Sequence, residues 1–287
     1  MATFGHYEAG RVLHRTRFSA IYLLSSADEG GPQRVIKAYR PFVRVHDEML
    51  EAIQSQAFLG SAAVQQKTAR LNAKCWAPIY EFGTASSGPF YVTDRYDFSI
   101  RQLVDCHVKL GVTGIHNITC SIVCGLLALK QACGRPHGNL KLTNILIAGR
   151  GDVAKATVVL CDPLPDCQPH AHADLRRLGE IIYELVVHHS VPRVAGYQLP
   201  ESEHWRKLGR QGEAWRQVCN RLLQADVESA TITLEELTDQ LATMAPRSSR
   251  RAFVIAIGIG VIIGLGILCW LLSRIIWDVL HRDGTGS

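Results

Sequence analysis

The sequence predicts an α+β body, strand-rich and small at its start, helical and larger after that, followed by a single membrane-spanning helix. Three observations carry this reading. Short β-branched and aromatic runs crowd the first hundred residues. After Ser99 apolar residues recur at helical spacing. An uncharged run from Ala252 to Leu272 reads AFVIAIGIGVIIGLGILCWLL. That run is about 21 residues, or about 32 Å as a helix, which matches the hydrocarbon core of a bilayer.

In chain order, Arg11-Val12-Leu13, Ala20 to Leu24 and Arg34 to Tyr39 read as strands, with a turn at Asp28-Glu29-Gly30-Gly31-Pro32. Asp47 to Gln66 reads as a helix. Ile79 to Phe82 and Phe90 to Thr93 read as a hairpin joined through Ser86-Ser87-Gly88-Pro89. Ile115 to Ala132 places Ile118, Ile122, Val123, Leu126, Leu127 and Leu129 on one side of a helix, with Gly134 as its stop. Thr157 to Leu160 reads as a strand. Asp174 to Val187 and Glu213 to Leu223 are amphipathic helices, and Thr233-Leu234-Glu235-Glu236 is a capping-box start for a last helix ending near Met244. The expected organisation is a body over 1–245, a linker over 246–251, a membrane helix over 252–273 and a short tail over 274–287.

Composition fits this division. The 287 residues are 47% hydrophobic and 20% charged, with a formal net charge of +5 and a mean hydropathy of +0.05. These values exclude a disordered chain and a multi-span membrane protein. The positive charge is too slight to imply a nucleic-acid partner. About +3 of it lies in 247–287 (five Arg minus two Asp), which leaves the body near neutral. Arg247, Arg250 and Arg251 precede the span, while Arg274 and Arg282 follow it, so the body is expected on the cytoplasmic side. MATFGHYEAG contains no apolar core of a signal peptide. Nine cysteines, an odd number without framework spacing, suit a reducing compartment. Gly260-x-x-x-Gly264 is a pattern that can pair membrane helices, and so a candidate for homodimerisation. Cys167-x-x-His170-x-His172 does not have the spacing of a standard zinc finger.

Four segments occur in an order that carries chemistry: Val35-Ile36-Lys37; His137-Gly138-Asn139-Leu140-Lys141-Leu142-Thr143-Asn144; Leu160-Cys161-Asp162-Pro163-Leu164; and Asp174-Leu175-x-x-Leu178-Gly179-Glu180-Ile181-Ile182-Tyr183-Glu184-Leu185. Together the chain resembles the serine/threonine protein kinases across nearly the whole body. The resemblance implies a two-lobed fold with a β-rich N-lobe and a helical C-lobe. It places Lys37 and Gln56 at the nucleotide, Gln56 standing where a helix glutamate would pair with the lysine, with Glu48 and Glu51 as fallback partners. Asn144 and Asp162 fall at the Mg²⁺ positions, and Asn139 and Lys141 in the catalytic loop. ATP and Mg²⁺ are the implied ligands.

The departures point away from phosphotransfer. His14-Arg15-Thr16-Arg17-Phe18-Ser19 occupies the place of the glycine-rich phosphate loop and contains no glycine. Asn139 stands where a carboxylate would accept the substrate's proton, and an amide has no useful basicity. Asp162 and Asp174 are only a dozen residues apart, with no A-P-E motif between them and no arginine over 226–231 to pair with one. The sequence therefore implies a degenerate kinase-like protein, a pseudokinase serving as a membrane-anchored scaffold or allosteric partner with weak ATP binding. Its alternatives are an atypical active kinase, because Lys37, Lys141, Asn144 and Asp162 remain, and a purely structural interaction module.

Overall fold

In the computed structural model, residues 2–25, 33–40, 48–149, 151–166, 171–192, 198–224 and 232–245 are described. The Asp28–Pro32 turn, Cys167 and His170, residues 226–231, the linker, the 252–273 span with Gly260 and Gly264, and the 274–287 tail lie outside them.

The chain is mixed α and β, strand-rich first and helix-rich afterwards. β1 (Thr3–Phe4), β2 (Tyr7–Arg15), β3 (Ser19–Leu24) and β4 (Arg34–Tyr39) are followed by α1 (Glu48–Leu71), then by β5 (Ile79–Ala85) and β6 (Gly88–Asp94). The six strands form one antiparallel sheet in the order β1-β2-β3-β4-β6-β5. Alternation explains its core: Phe4, Ala9, Ile36, Ala38, Phe90 and Val92 meet on one face. The expected strands all form. α1 runs five residues beyond the Gln66 end expected from sequence, as far as Leu71. No glycine or proline interrupts Ser61 to Leu71, so nothing local stops it earlier.

The second part opens with β7 (Phe98–Ser99) and α2 (Ile100–Asp105), followed by α3 (Val112–Cys133). Gly134 ends α3 in the left-handed conformation, at φ 65°, and its N–H reaches Lys130 O. β8 (Ile145–Ala148) and β9 (Thr157–Leu160) join β7 in a small sheet of order β7-β8-β9. α4 (Ala171–Val187), α5 (Glu203–Arg206), α6 (Gly212–Leu223) and α7 (Leu234–Thr243) complete the body. α7 starts as its sequence requires: Glu236 N–H donates to Thr233 Oγ1 and Thr233 N–H to Glu236 Oε2.

Among the described residues one helix, α3, is long and apolar enough to cross a membrane, with a mean hydropathy of 1.7 over its most apolar 18 residues. It lies mid-chain and 56% of that stretch is buried within the body. Ile115, Ile118, Ile122 and Leu129 are fully enclosed in the main core with Trp76, Leu160, Leu178 and Trp215. α3 touches β9 so closely that a Cβ on Gly125 would sit 2.6 Å from Leu160 Cδ1 and 3.2 Å from Cys75 O. The Gly125 carbonyl accepts the Trp76 indole N–H at 2.8 Å. This helix therefore spans the body itself, and the loop after it is held against the end of β9.

Candidate functional site

The site lies where the large sheet, α1 and the β8–β9 end meet. Lys37 sits in mid-β4, opposite Tyr91 of β6. Its ammonium forms an ion pair and hydrogen bond with Asp162 Oδ2, just past β9. Tyr91 Oη donates to Asp162 Oδ1 at 2.7 Å, and Lys37 Nζ lies 5.6 Å from the Tyr91 ring centre. The two charged side chains keep only 19% and 18% of their surface exposed. Burial pushes Lys37 towards its neutral form, but the Asp162 carboxylate outweighs it and the lysine pKa ends above its usual value. Burial likewise raises Asp162, and Lys37 together with the Tyr91 hydrogen bond more than reverses this. Both groups are ionised at neutral pH. Tyr91, its pKa raised well above normal by burial and then by Asp162, remains a neutral donor.

Asp162 has φ 55°, a left-handed backbone on a non-glycine residue just before a proline. Such strain costs about 1–3 kcal/mol and persists where neighbours over-determine it. They do so here. Asp162 N–H donates to Gln65 Oε1 at 2.8 Å, and its carbonyl accepts Asn139 Nδ2 at 2.9 Å. On either side of it, Cys161 N–H bonds Asn144 O at 3.0 Å and Leu164 N–H bonds His137 O at 2.9 Å. The Arg135 guanidinium donates to the Leu164 and Pro165 carbonyls. A Cβ on Gly60 of α1 would lie 2.8 Å from Pro165 Cβ, so the strap formed by 161–166 is clasped from that side too.

The loop from His137 to Asn144 forms the other wall. His137 is fully buried and stacked on Trp76, with ring centres 5.6 Å apart. Its Nδ1 accepts Asn139 N–H at 3.2 Å, so Nε2 carries the proton and donates to Cys161 O at 3.1 Å. Asn144 Nδ2 donates to Asn139 O at 2.9 Å. The buried Asp174 of α4 accepts His137 N–H at 2.6 Å and Gly138 N–H at 3.1 Å, which fixes the start of the loop.

His137 and Asp174 give this junction a pH signature. Burial takes the His137 pKa down to about 4, while burial raises Asp174 to about 6 against its backbone hydrogen bonds. Unfolded values are about 6.5 and about 3.9. Between pH 4 and 6.5 the unfolded histidine binds more protons, so its contribution to stability falls as pH drops. Between about 3.9 and 6 the folded aspartate binds more, so its contribution falls as pH rises. The two slopes, each up to about 1.4 kcal/mol per pH unit, oppose each other over pH 4–6. Chemical denaturation of the wild type is expected to be nearly flat there, whereas Asp174→Asn should expose a stability that climbs with pH.

Of the residues singled out from sequence, Lys37, Asp162, Asn139 and Asn144 come together in one hydrogen-bonded chain. Lys141 lies at the rim with its side chain exposed, and its carbonyl accepts Asn144 N–H at 2.8 Å. Gln56 is a correction. It lies on the exposed side of α1, and Lys37 is paired with Asp162 instead. Glu51, one of the fallback partners, is exposed as well. The residue of α1 that enters the site is Gln65, more than two turns later and 1% exposed, whose amide also donates to Ala77 O at 2.9 Å. Tyr91 and Gln65 lie outside the sequence motifs, while His137 and Asp174 stand within them without a site role assigned from sequence.

As arranged, the donors do not fit Mg²⁺. Both Asp162 oxygens accept protein hydrogens and its charge is matched by Lys37. The Asn144 amide faces Asn139 O and, at 3.5 Å, Thr143 Oγ1. Among the described residues no group of three or more His, Cys, Asp or Glu side chains is placed to hold a metal. The hairpin tip is also closed on itself. Thr16 Oγ1 accepts Phe18 N–H at 3.2 Å and Ser19 N–H at 3.0 Å, and Thr16 N–H bonds Ser19 O at 2.8 Å. Those two amide hydrogens are therefore unavailable to a phosphate. At the connection to the small sheet, Tyr96 and Leu146 pack against the cluster of Ala77, Val159 and Cys161. No protein-family model matches this chain, and no curated protein matches it in sequence.

Proposed function

We propose that this protein is a protein-kinase-like body that has given up phosphotransfer, held at the cytoplasmic face of a membrane by the 252–273 span and working as a scaffold or allosteric partner. The observation that carries the reading is the junction at Asn139. Its side-chain amide is committed to the Asp162 carbonyl, so the position has become a structural donor rather than a proton acceptor. The Lys37–Asp162 ion pair supports the same view. It neutralises the two charges on which a metal nucleotide would depend.

On this reading ATP binds weakly, at Lys37, and only after Asp162 lets go. Purified full-length protein is expected to transfer no γ-phosphate to itself or to a generic protein substrate. Mg-ATP at about ten times its Kd should raise its melting temperature by no more than about 3–6 °C. Robust transfer that Asp162→Ala abolishes would establish the active-kinase alternative instead. A second reading, a kinase-shaped body that binds no nucleotide, is favoured by the apolar packing of Tyr96 and Leu146 against Ala77, Val159 and Cys161. It predicts no melting shift with ATP, with or without Mg²⁺.

A further inference from the structure

The β2–β3 hairpin has a one-sided charge that the site does not use. From Ala9 to Ser25 it carries Arg11, His14, Arg15 and Arg17 and no acidic residue. The neighbouring stretch 33–40 adds Arg34, Lys37 and Arg40, again with no acid. Lys37 is matched by Asp162 and Arg34 lies over Tyr80, and the tip of the hairpin lies at the surface. Arg15, Arg17 and Phe18 are exposed there, Phe18 by 46%. Arg40 joins them through its N–H to Phe18 O at 2.8 Å. The acidic side chains of this sheet lie at its other end. Glu8 pairs with Thr3, Glu81 accepts Tyr7 Oη, and Asp94 is opposite Arg34.

The tip is also held by its own hydrogen bonds. Thr16 binds two of its amides, and the Arg17 guanidinium sits 5.3 Å from the Phe18 ring centre. An aromatic ring framed by arginines on a pre-ordered turn can enter a bilayer interface at little entropic cost. An extended peptide adding to the sheet is a poorer fit. β1 covers only the start of β2, which leaves the edge from Gly10 to Arg15 without a partner among the described residues. Register breaks at Ala9/Val12 and Val12/His14 spoil the regular ladder that an added strand needs.

We propose that the β2–β3 tip, through Arg15, Arg17, Arg40 and Phe18, docks the body onto the anionic phospholipid headgroups of the membrane that anchors it. This rests on the membrane-anchored reading above. A tether of a few residues before the span keeps the body at high effective concentration near the surface, so a weak contact suffices. Three arginines near an anionic surface are expected to favour the docked state by about 10²-fold, an advantage that salt removes.

The test is hydrogen exchange on the full-length chain in vesicles of phosphatidylcholine alone and with 30% phosphatidylserine. Flotation of the protein with both vesicles is the control for the anchor, and its failure counts against anchoring rather than against the tip. Slower exchange over 9–25 with phosphatidylserine, lost in 0.5 M salt and in the Arg15→Glu/Arg17→Glu variant, supports docking. Phe18→Ser should weaken the protection, and unchanged melting of both variants shows that the fold survives. Equal exchange in the two vesicles overturns the proposal. So does protection that survives charge reversal, or protection produced only by a soluble acidic polypeptide.

Discussion

Replacing Asn139 with Asp is expected to destabilise the body by about 2 kcal/mol and to confer no phosphotransfer. At neutral pH a carboxylate cannot donate, so the Asp162 carbonyl would lose the bond it now receives from Asn139 Nδ2 and face two anionic oxygens instead. Leaving a half-buried acceptor unsatisfied costs about 1–3 kcal/mol, which lowers melting by about 4–8 °C in a domain of this size. Asn139→Ala removes the bond without adding charge and should fall between the wild type and the Asp variant. The melting order wild type, Ala, Asp, read beside a γ-phosphate transfer assay, checks the claim. An Asp variant that melts with the wild type would mean that the amide has no structural role. From sequence alone, this substitution looks like a repair of the missing base. In the structure it breaks the bond from the Asn139 amide to the Asp162 carbonyl.

The second large effect concerns Lys37 and Asp162. Removing one member of a buried ion pair leaves the other unmatched, at a cost of about 3–5 kcal/mol. Because each side chain keeps nearly a fifth of its surface exposed, the lower end applies. Lys37→Met alone and Asp162→Ala alone are each expected to lose about 3 kcal/mol, and the double variant about 4 kcal/mol, less than the sum of the two. A double-mutant cycle by urea denaturation should return a coupling of about 2 kcal/mol, and strictly additive losses would show that the two charges are not paired in solution. The Asp162 pKa is lowered, so its contribution is present above the unfolded carboxylate value and fades only as pH falls through the folded one. The Lys37 pKa is raised, so its contribution holds below the unfolded ammonium value and fades as pH rises through the folded one. The pair is thus intact from about pH 4 to about pH 10.

Much of the fold could be read directly, for local reasons. β4 forms over the β-rich run Arg34–Tyr39, α3 stops at its glycine, and α7 begins at its capping box. The elements that escaped are short. β1 and β7 are two residues each, β8 is four, and α5 is a single turn around the buried Trp205. Runs that short leave no periodicity, and tertiary pairing decides them. The site divides in the same way. Lys37, Asn139, Asn144 and Asp162 were legible because each belongs to an ordered motif. Gln56 is singled out by its distance along the chain from Lys37 and by the pattern Gln56-Ala57-Phe58-Leu59, and neither reveals where α1 lies against the sheet. Gln65 left only a faint signal, an amide in a helix that packs against other elements. Tyr91 left a better one. β6 is buried on both faces from Pro89 to Thr93, and a hydroxyl in such a strand must find a partner.

α3 carries a consequence for the life of the chain in the cell. Folded, it is the pillar around which the helical part is assembled. Released, it is a 22-residue helix holding an 18-residue stretch of mean hydropathy 1.7, long and apolar enough to enter lipid by itself. On the proposed anchoring beside a bilayer, unfolding then need not lead to an aqueous coil. The pillar has a competing resting place a short distance away, and a molecule that lets it go there is trapped rather than refolded. Variants that loosen the Gly125–Leu160 contact would reveal themselves by a second segment lost to the membrane, before any loss of solubility.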